Sequence, residues 1–330
     1  MSQPIDIAEL AQKLITGDRV ALGKAITLVE STREEQQLQA AELLELCAPH
    51  AIESKRIGIT GVPGVGKSTF IDAFGSKLTE SGRKVAVLAV DPSSGISHGS
   101  ILGDKTRMEK LSSNPNAFIR PTPSSGSLGG VARKTRETIT LCEAAGFDTI
   151  LIETVGVGQS ETAVHSMVDM FVLLVLATAG DELQGIKRGI MEMADLVIIN
   201  KDDGENASYT KLAKASYHQA LHMFPAKESG WIVPVISCSS LSGNGIEEIL
   251  NSTESYFKQV RVSGYFLELR LRQIEFWLEA TILDELARRF YSNTINRNEL
   301  RKLKGKINSD FFNPYLSAVE IVSNWLNRGD

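Results

Sequence analysis

The stretch Gly61-Val62-Pro63-Gly64-Val65-Gly66-Lys67-Ser68-Thr69 lies between the β-branched run Arg56–Thr60 and a helical stretch beginning at Lys67. It satisfies G-x-x-x-x-G-K-[ST] in the strand–loop–helix context that a phosphate-binding loop requires. Glycines let backbone N–H groups turn inward around phosphate oxygens at a helix N-terminus. Lys67 supplies positive charge for the β and γ phosphates, and the Ser68 hydroxyl is a ligand for Mg²⁺. A dinucleotide fingerprint G-x-G-x-x-G starting at Gly64 fails, because Thr69 stands where its last glycine belongs.

Outward from this loop, further apolar runs occur at Val85–Val90, Thr149–Glu153, Met170–Ala177, Leu196–Asn200 and Trp231–Ser237. Most are apolar throughout rather than alternating, the mark of strands buried on both faces of a parallel sheet. Helical stretches Lys67–Glu80, Val131–Ala145, Glu182–Ala194 and Ser208–Phe224 lie between them. The alternation predicts right-handed βαβ units and an α/β P-loop fold, its doubly wound sheet mostly parallel and flanked by helices. Ahead of it, residues 1–51 read as an N-terminal helical extension, with Ile7, Leu10, Leu14 and Ile15, then Ala40, Leu43, Leu44 and Cys47, at helical spacing. After about residue 260 the strands stop. Ile274, Trp277, Ile282, Leu283, Leu286 and Phe290 mark one amphipathic helix, and Tyr315, Val319, Val322 and Leu326 another. The expected division is 1–51, 52–260 and 261–330. The Ser/Gly/Pro-rich stretches 92–103 and 121–130 fall inside the α/β region and read as functional loops.

Composition narrows the class. With 42% hydrophobic and 23% charged residues, the 330-residue chain is an ordinary globular protein. A net charge of −5 argues against a protein built to coat nucleic acid. Cys47, Cys142 and Cys238 are odd in number and widely spaced, which fits a reducing compartment. The start MSQPIDIAELAQKL has neither a signal-peptide nor a transit-peptide pattern, and the longest apolar stretch, 167–179, contains Asp169 and is too short to span a bilayer. The expectation is a cytoplasmic protein with no membrane or nucleic-acid partner.

Asn200-Lys201-Asp202-Asp203 follows the run Leu196–Ile199 and reads as N-K-x-D. The Asp203 carboxylate would accept two hydrogen bonds, from the ring N–H and exocyclic amine of guanine, whereas adenine would leave it unpaired. Sites built on such pairing discriminate by on the order of 10⁴ or more. Lys201 would lay its aliphatic stem on the base and Asn200 would brace the loop. Ser237-Cys238-Ser239-Ser240-Leu241 follows the last strand, and backbone N–H groups of Cys238, Ser239 and Ser240 would approach the guanine O6.

Three acids are candidates for the metal. Asp91 ends the run Val85–Val90 and can sit across the phosphate loop to hold Mg²⁺ directly or through water. Glu153-Thr-Val-Gly156 occupies the place of a D-x-x-G segment, where the Gly156 N–H senses the γ-phosphate. Asp104, in Leu102-Gly-Asp-Lys-Thr-Arg107, is the third. Lys67, Asp104 and Glu153 are the catalytic candidates. Ras-like GTPases carry a water-orienting glutamine directly after that glycine, but this chain has Val157, and the nearest polar substitutes are Gln159 and Gln184. Valine cannot orient water, so intrinsic turnover is expected to be slow and raised by a partner. His218 and His222 at i, i+4, the Arg133/Lys134/Arg136 cluster and Arg288-Arg289 are read as helix surface.

The segments GVPGVGKST (61–69), AVDPSS (89–94), SILGDKTRM (100–108), IRPTPSSGSLGG (119–130), ETVGVGQSE (153–161), GDELQGIKRGIMEMADL (180–196) and NKDD (200–203) closely resemble the GTPases associated with methylmalonyl-CoA mutase, the ArgK-type GTPases. The resemblance implies a homodimeric P-loop GTPase with a C-terminal helical dimerisation arm, acting as chaperone of an adenosylcobalamin-dependent acyl-CoA mutase by gating cofactor loading and protecting or rescuing the enzyme. It implies that Ser68, Asp91, Asp104 and Glu153 surround Mg²⁺. It also implies that segment 178–188, with Asp181, Gln184 and Lys187, is an extra switch relaying nucleotide state to the mutase. Two other readings compete: a phosphotransferase using the γ-phosphate, for which no base or acceptor pocket can be named, and a metal-inserting GTPase, which wants a His/Cys cluster that the sequence lacks near the switches.

Overall fold

The apolar runs become the parallel strands of one sheet. The structure, a computed structural model, describes residues 6–90, 108–122, 128–154, 160–177, 188–203, 207–307 and 312–328. The strands are β1 Lys55–Gly61, β2 Val85–Val90, β3 Ala117–Thr122, β4 Thr149–Thr154, β5 Met170–Leu176, β6 Leu196–Asn200 and β7 Val235–Ser237. They pair in the order β3-β2-β4-β1-β5-β6-β7, and every registered pair is parallel. This is the α/β P-loop fold expected from the alternating pattern. All six residues of β2 and all six of β4 are buried, as strands covered on both faces must be.

The helices are α1 Ile7–Ile15, α2 Arg19–Glu30, α3 Glu34–Cys47, α4 Lys67–Glu80, α5 Glu109–Ser112, α6 Leu128–Ala144, α7 Ser160–His165, α8 Arg188–Met193, α9 Ala207–Leu221, α10 Ile246–Val262, α11 Tyr265–Ser292, α12 Thr294–Lys304 and α13 Pro314–Asn327. Local chemistry starts them where it should. Asp6 caps α1 by accepting from the Glu9 N–H, and Asp18 caps α2 by accepting from Val20 and Ala21.

Two differences from the sequence reading concern strands. β3 lies within a stretch expected to be partly loop; it carries Arg120 and Pro121, and it is an edge strand, where proline's missing donor is tolerated. Conversely, only the last three residues of the expected strand Trp231–Ser237 pair. Pro234 has no N–H to give, and the Trp231 indole donates to the Asp195 carbonyl at 2.9 Å instead of lying in a ladder.

The chain forms two compact units, Met1–Gln273 and Ile274–Asp330. In the first, α1–α3 pack on α6, and Leu22, Ala25, Ile26 and Leu43 are fully buried in the same apolar core as Ala86, Leu88 and Ile150 of the sheet. A second core on the opposite face holds Phe70, Phe74, Ile57, Leu151, Tyr256 and Phe257. The basic cluster on α6 is not the solvated face expected. Lys134 and Arg136 are 8% and 7% exposed, Lys134 donates to the Glu30 carbonyl at 2.5 Å, and Arg136 donates to the Ser166 carbonyl and hydroxyl at 3.0 and 2.7 Å. The N-terminal helices cover Lys134 and the turn after α7 covers Arg136, so both cations become internal braces. In the second unit, Ile321 and Trp325 are buried, Trp325 packs edge-on against Phe290, and Asn293 caps α12. Among the described residues no helix is long and apolar enough to cross a membrane.

Candidate functional site

β1, β4, β6 and β7 all deliver their C-terminal ends to one rim, beside the point where the strand order reverses around β1. Ligands of open α/β sheets bind at that point. β1 ends at Gly61, whose φ of 153° is confined by its surroundings: a Cβ there would stand 2.5 Å from the Leu174 carbonyl oxygen. Gly66, at φ 93°, leads directly into α4, and a Cβ there would stand 2.8 Å from the Asn200 amide nitrogen. Glycine at both positions is what lets the loop close over a helix N-terminus.

Within the loop, Lys67 is 9% exposed and donates to the Gly61 carbonyl at 2.8 Å and the Val62 carbonyl at 3.4 Å. Burial lowers its pKa from the ordinary lysine value, while the charges of Glu153 and Glu161 act against that shift. Ser68 Oγ lies 3.3 Å from Glu153 Oε1. A hydroxyl and a carboxylate oxygen converging beside a phosphate loop are hard ligands that fit Mg²⁺, which keeps several waters and takes one or two carboxylates plus substrate phosphates.

The second half of the site is a brace. Lys201 is the one non-glycine with positive φ among the described residues, at 62°. That left-handed turn carries its ammonium to the Gly64 carbonyl at 2.8 Å, while Asn200 Nδ2 donates to the Val65 carbonyl at 2.9 Å. Asn200 Oδ1 in turn accepts from the Ser240 N–H at 3.3 Å and hydroxyl at 2.7 Å, and Cys238 Sγ lies 3.5 Å away. The Ser239 hydroxyl donates to Asp203 Oδ2, fixing the carboxylate's direction. Phosphate loop, N-K-x-D loop and the 238–240 segment are thereby one hydrogen-bonded frame. In it the Cys238 N–H donates to Ile199 O and the Ser239 N–H to Asn244 O, so this segment's visible work is support. Cys238 is buried, which pushes its thiol up to about 12 and leaves it inert.

Of the residues singled out by sequence, Gly61 to Thr69, Glu153, Asn200, Lys201, Asp203, Cys238, Ser239 and Ser240 meet at this rim. Asp91, Asp104, Gly156, Val157, Gln159, Asp181, Gln184 and Lys187 lie outside the described residues. The sequence reading missed Glu161, which is 1% exposed at the start of α7 and whose charge bears on Lys67. Its one signal was membership of the motif 153–161. His218 and His222 are exposed, and among the described residues no group of three potential metal ligands forms.

Comparison with known proteins agrees with this arrangement. The family described as methylmalonyl Co-A mutase-associated GTPase MeaB matches residues 22–295. A probable GTPase of Mycobacterium tuberculosis is 49% identical over 313 residues, covering 95% of this chain and 93% of that protein. The GTPase ArgK of Escherichia coli is 47% identical over 287 residues, 87% of each chain. The mouse methylmalonic aciduria type A homolog, described as mitochondrial, is 46% identical over 325 residues, covering 96% of this chain and 78% of that protein. A crystal structure described as an LAO/AO transport system kinase matches with a TM-score of 0.76 and 36% identity, covering 98% of this chain and 100% of that one.

Proposed function

Because the chain belongs to the methylmalonyl Co-A mutase-associated GTPase family, we propose that it is a GTP-driven switch that chaperones an adenosylcobalamin-dependent acyl-CoA mutase, gating cofactor loading and protecting or reactivating the enzyme. The observation that carries this reading is the frame joining Asn200 to Val65 and Lys201 to Gly64, which ties a guanine-reading loop to a phosphate loop. The mutase comes from the family's description.

In this reading Asp203 holds guanine, Lys67 leaves the Gly61 carbonyl to meet the β and γ phosphates, and Ser68, Asp91, Asp104 and Glu153 hold Mg²⁺. The bound ion would neutralise charge developing on the transferred phosphoryl group. Gly156 senses the γ-phosphate, and Asp181, Gln184 and Lys187 relay it to the mutase. Residues 1–51 are the helical extension, 52–260 the nucleotide-binding domain and 261–330 the dimerisation arm.

The test is capture of purified mutase by the protein loaded with a non-hydrolysable GTP analogue and then with GDP, paired with single-turnover hydrolysis. Binding that differs between the two states, with partner-free turnover below about one per second and a rise on adding the mutase, is the expected result. Equal or absent binding in both states would remove the chaperone role.

The homodimer is a separate expectation, supported by the exposed apolar side chains Ile282, Leu283 and Leu286 on α11 and Tyr315, Val319 and Leu326 on α13. Light scattering should give twice the chain mass, and Leu283→Glu should shift it toward the monomer; a monomeric wild type at micromolar concentration would refute it. A phosphotransferase is the second reading, favoured by the description of the 36%-identical structure as a kinase. Labelled γ-phosphate appearing on an acceptor rather than as free phosphate would decide for it.

A further inference from the structure

Residues 207–227 contain three lysines, two histidines and no Asp or Glu, in a chain of net charge −5. Helical spacing places Lys211, Lys214, His218 and His222 of α9 and its following turn within one arc of about 80°. The turn at His222 is continuous with the helix, since its N–H donates to the His218 carbonyl at 3.2 Å. Lys211, His218 and His222 are exposed, Lys214 is half-buried, and among the described residues no acid pairs with any of the four.

The stripe runs into a cavity of about 370 Å³ whose walls include Met191, Leu221, Phe224, Trp231 and Val233. Ile232 at its rim is 83% exposed. The cavity holds about one large side chain; Pro225, Ala226 and Ile232 are exposed on its lining together with Glu192, His218 and His222, and Lys211 and Lys214 give the stripe its positive charge. One wall belongs to α8, which begins directly after segment 178–187, and the Arg188 guanidinium at the start of α8 lies over the Phe224 ring at 5.6 Å.

We propose that this groove docks an acidic amphipathic segment of a partner protein, one bulky apolar side chain filling the cavity and its carboxylates lying along the α9 stripe. The inference rests on the reading of this chain as a switch acting on another protein, and adds where that protein is gripped and by what chemistry. Charge complementarity selects the sign of the occupant. The apolar cavity selects a peptide over a nucleic acid, whose phosphates would meet the stripe but leave the cavity unfilled. Because α8 supplies Met191 and Glu192 to the wall, an occupant bears on the element that follows the segment assigned to signalling.

The test uses the full chain as bait for a displayed library of peptides of about 16 residues, long enough for a helix-in-groove contact. Counter-selection is against the Lys211→Glu/Lys214→Glu variant. Enriched peptides should be acidic with one Leu or aromatic anchor. Their Kd, read by fluorescence anisotropy, should rise about tenfold or more in Lys211→Glu/Lys214→Glu, in Ala226→Trp, which fills the cavity mouth, and on raising salt. Partner-free GTP hydrolysis should be unchanged in both variants. Enrichment of neutral or basic peptides, no enrichment, tight binding of a single-stranded oligonucleotide instead, or an unchanged Kd in either variant overturns the proposal. Capture of the mutase by Ala226→Trp as well as by wild type would overturn the groove and leave the switch standing. Failure of the wild type to capture the mutase would remove the mutase, while the peptide arm still decides the groove.

Discussion

Replacing Arg270 with alanine is expected to destabilise the protein by about 3–5 kcal/mol, the usual cost of leaving one member of a buried ion pair alone. Arg270, near the start of α11, donates through Nε to Asp169 Oδ1 at 2.5 Å and through Nη2 to Asp169 Oδ2 at 2.8 Å and the Ser54 carbonyl at 3.0 Å. The Asp169 side chain is wholly buried, and its other partner is the Arg56 N–H at 2.8 Å. Without the guanidinium the carboxylate keeps a single backbone donor, the Arg56 N–H. Two neighbouring contacts weaken with it: Gln273 Nε2 to the Val168 carbonyl at 2.7 Å and the Arg270 cation over the Phe266 ring at 5.1 Å. Asp169→Leu combined with Arg270→Met should recover most of the loss, since an apolar pair of similar volume removes both charges. Urea unfolding of the two single variants and the double variant separates these outcomes. A loss under about 1 kcal/mol in Arg270→Ala would show that the pair contributes little.

Asp203→Asn is expected to weaken GTP binding by about a thousandfold or more, because a half-buried acceptor becomes a donor facing the guanine amine. The Ser239 hydroxyl holds Asp203 in place through Oδ2, so the amide cannot swing aside without giving up that bond. The same substitution should improve binding of xanthosine triphosphate, whose carbonyl oxygen replaces the exocyclic amine and accepts from the new N–H. Titrating both nucleotides against wild type and variant gives the double comparison. GTP affinity within tenfold of wild type, or no gain for the xanthine nucleotide, would remove Asp203 from the base-reading role.

The centre of the fold was legible because its signals are local. The run Arg56–Thr60, the glycines and Lys67 are contiguous, and the strands feeding the rim are continuous apolar runs. What was not legible depends on partners far along the chain. Arg136 looks like a surface charge until α6 packs beside α7 and its guanidinium meets Ser166. β3 was hidden because Arg120 and Pro121 interrupt an apolar run, and only its edge position makes them acceptable. At the site, the spacing of Asn200 and Asp203 marked a candidate base-reading loop, and the structure sets that loop beside the phosphate loop. That Asn200 also grips Val65 and Ser240 could not be read from a tetrapeptide. Glu161 shows the same limit, for a buried carboxylate has no sequence mark that separates it from an exposed one.

The position of β3 has a consequence for how the protein survives crowding. A sheet's outer strands are templates onto which a stray chain can add, and from there fibrils and swapped assemblies grow. Here one rim is β3, where Pro121 interrupts the donor row and Arg120 is tied to Glu30 at 2.5 Å and to Thr27 at 3.2 Å. The opposite rim is β7, only three residues long. A wandering strand arriving at one side finds a ladder of three residues and at the other a row that contains a proline, so neither border offers a long unbroken template.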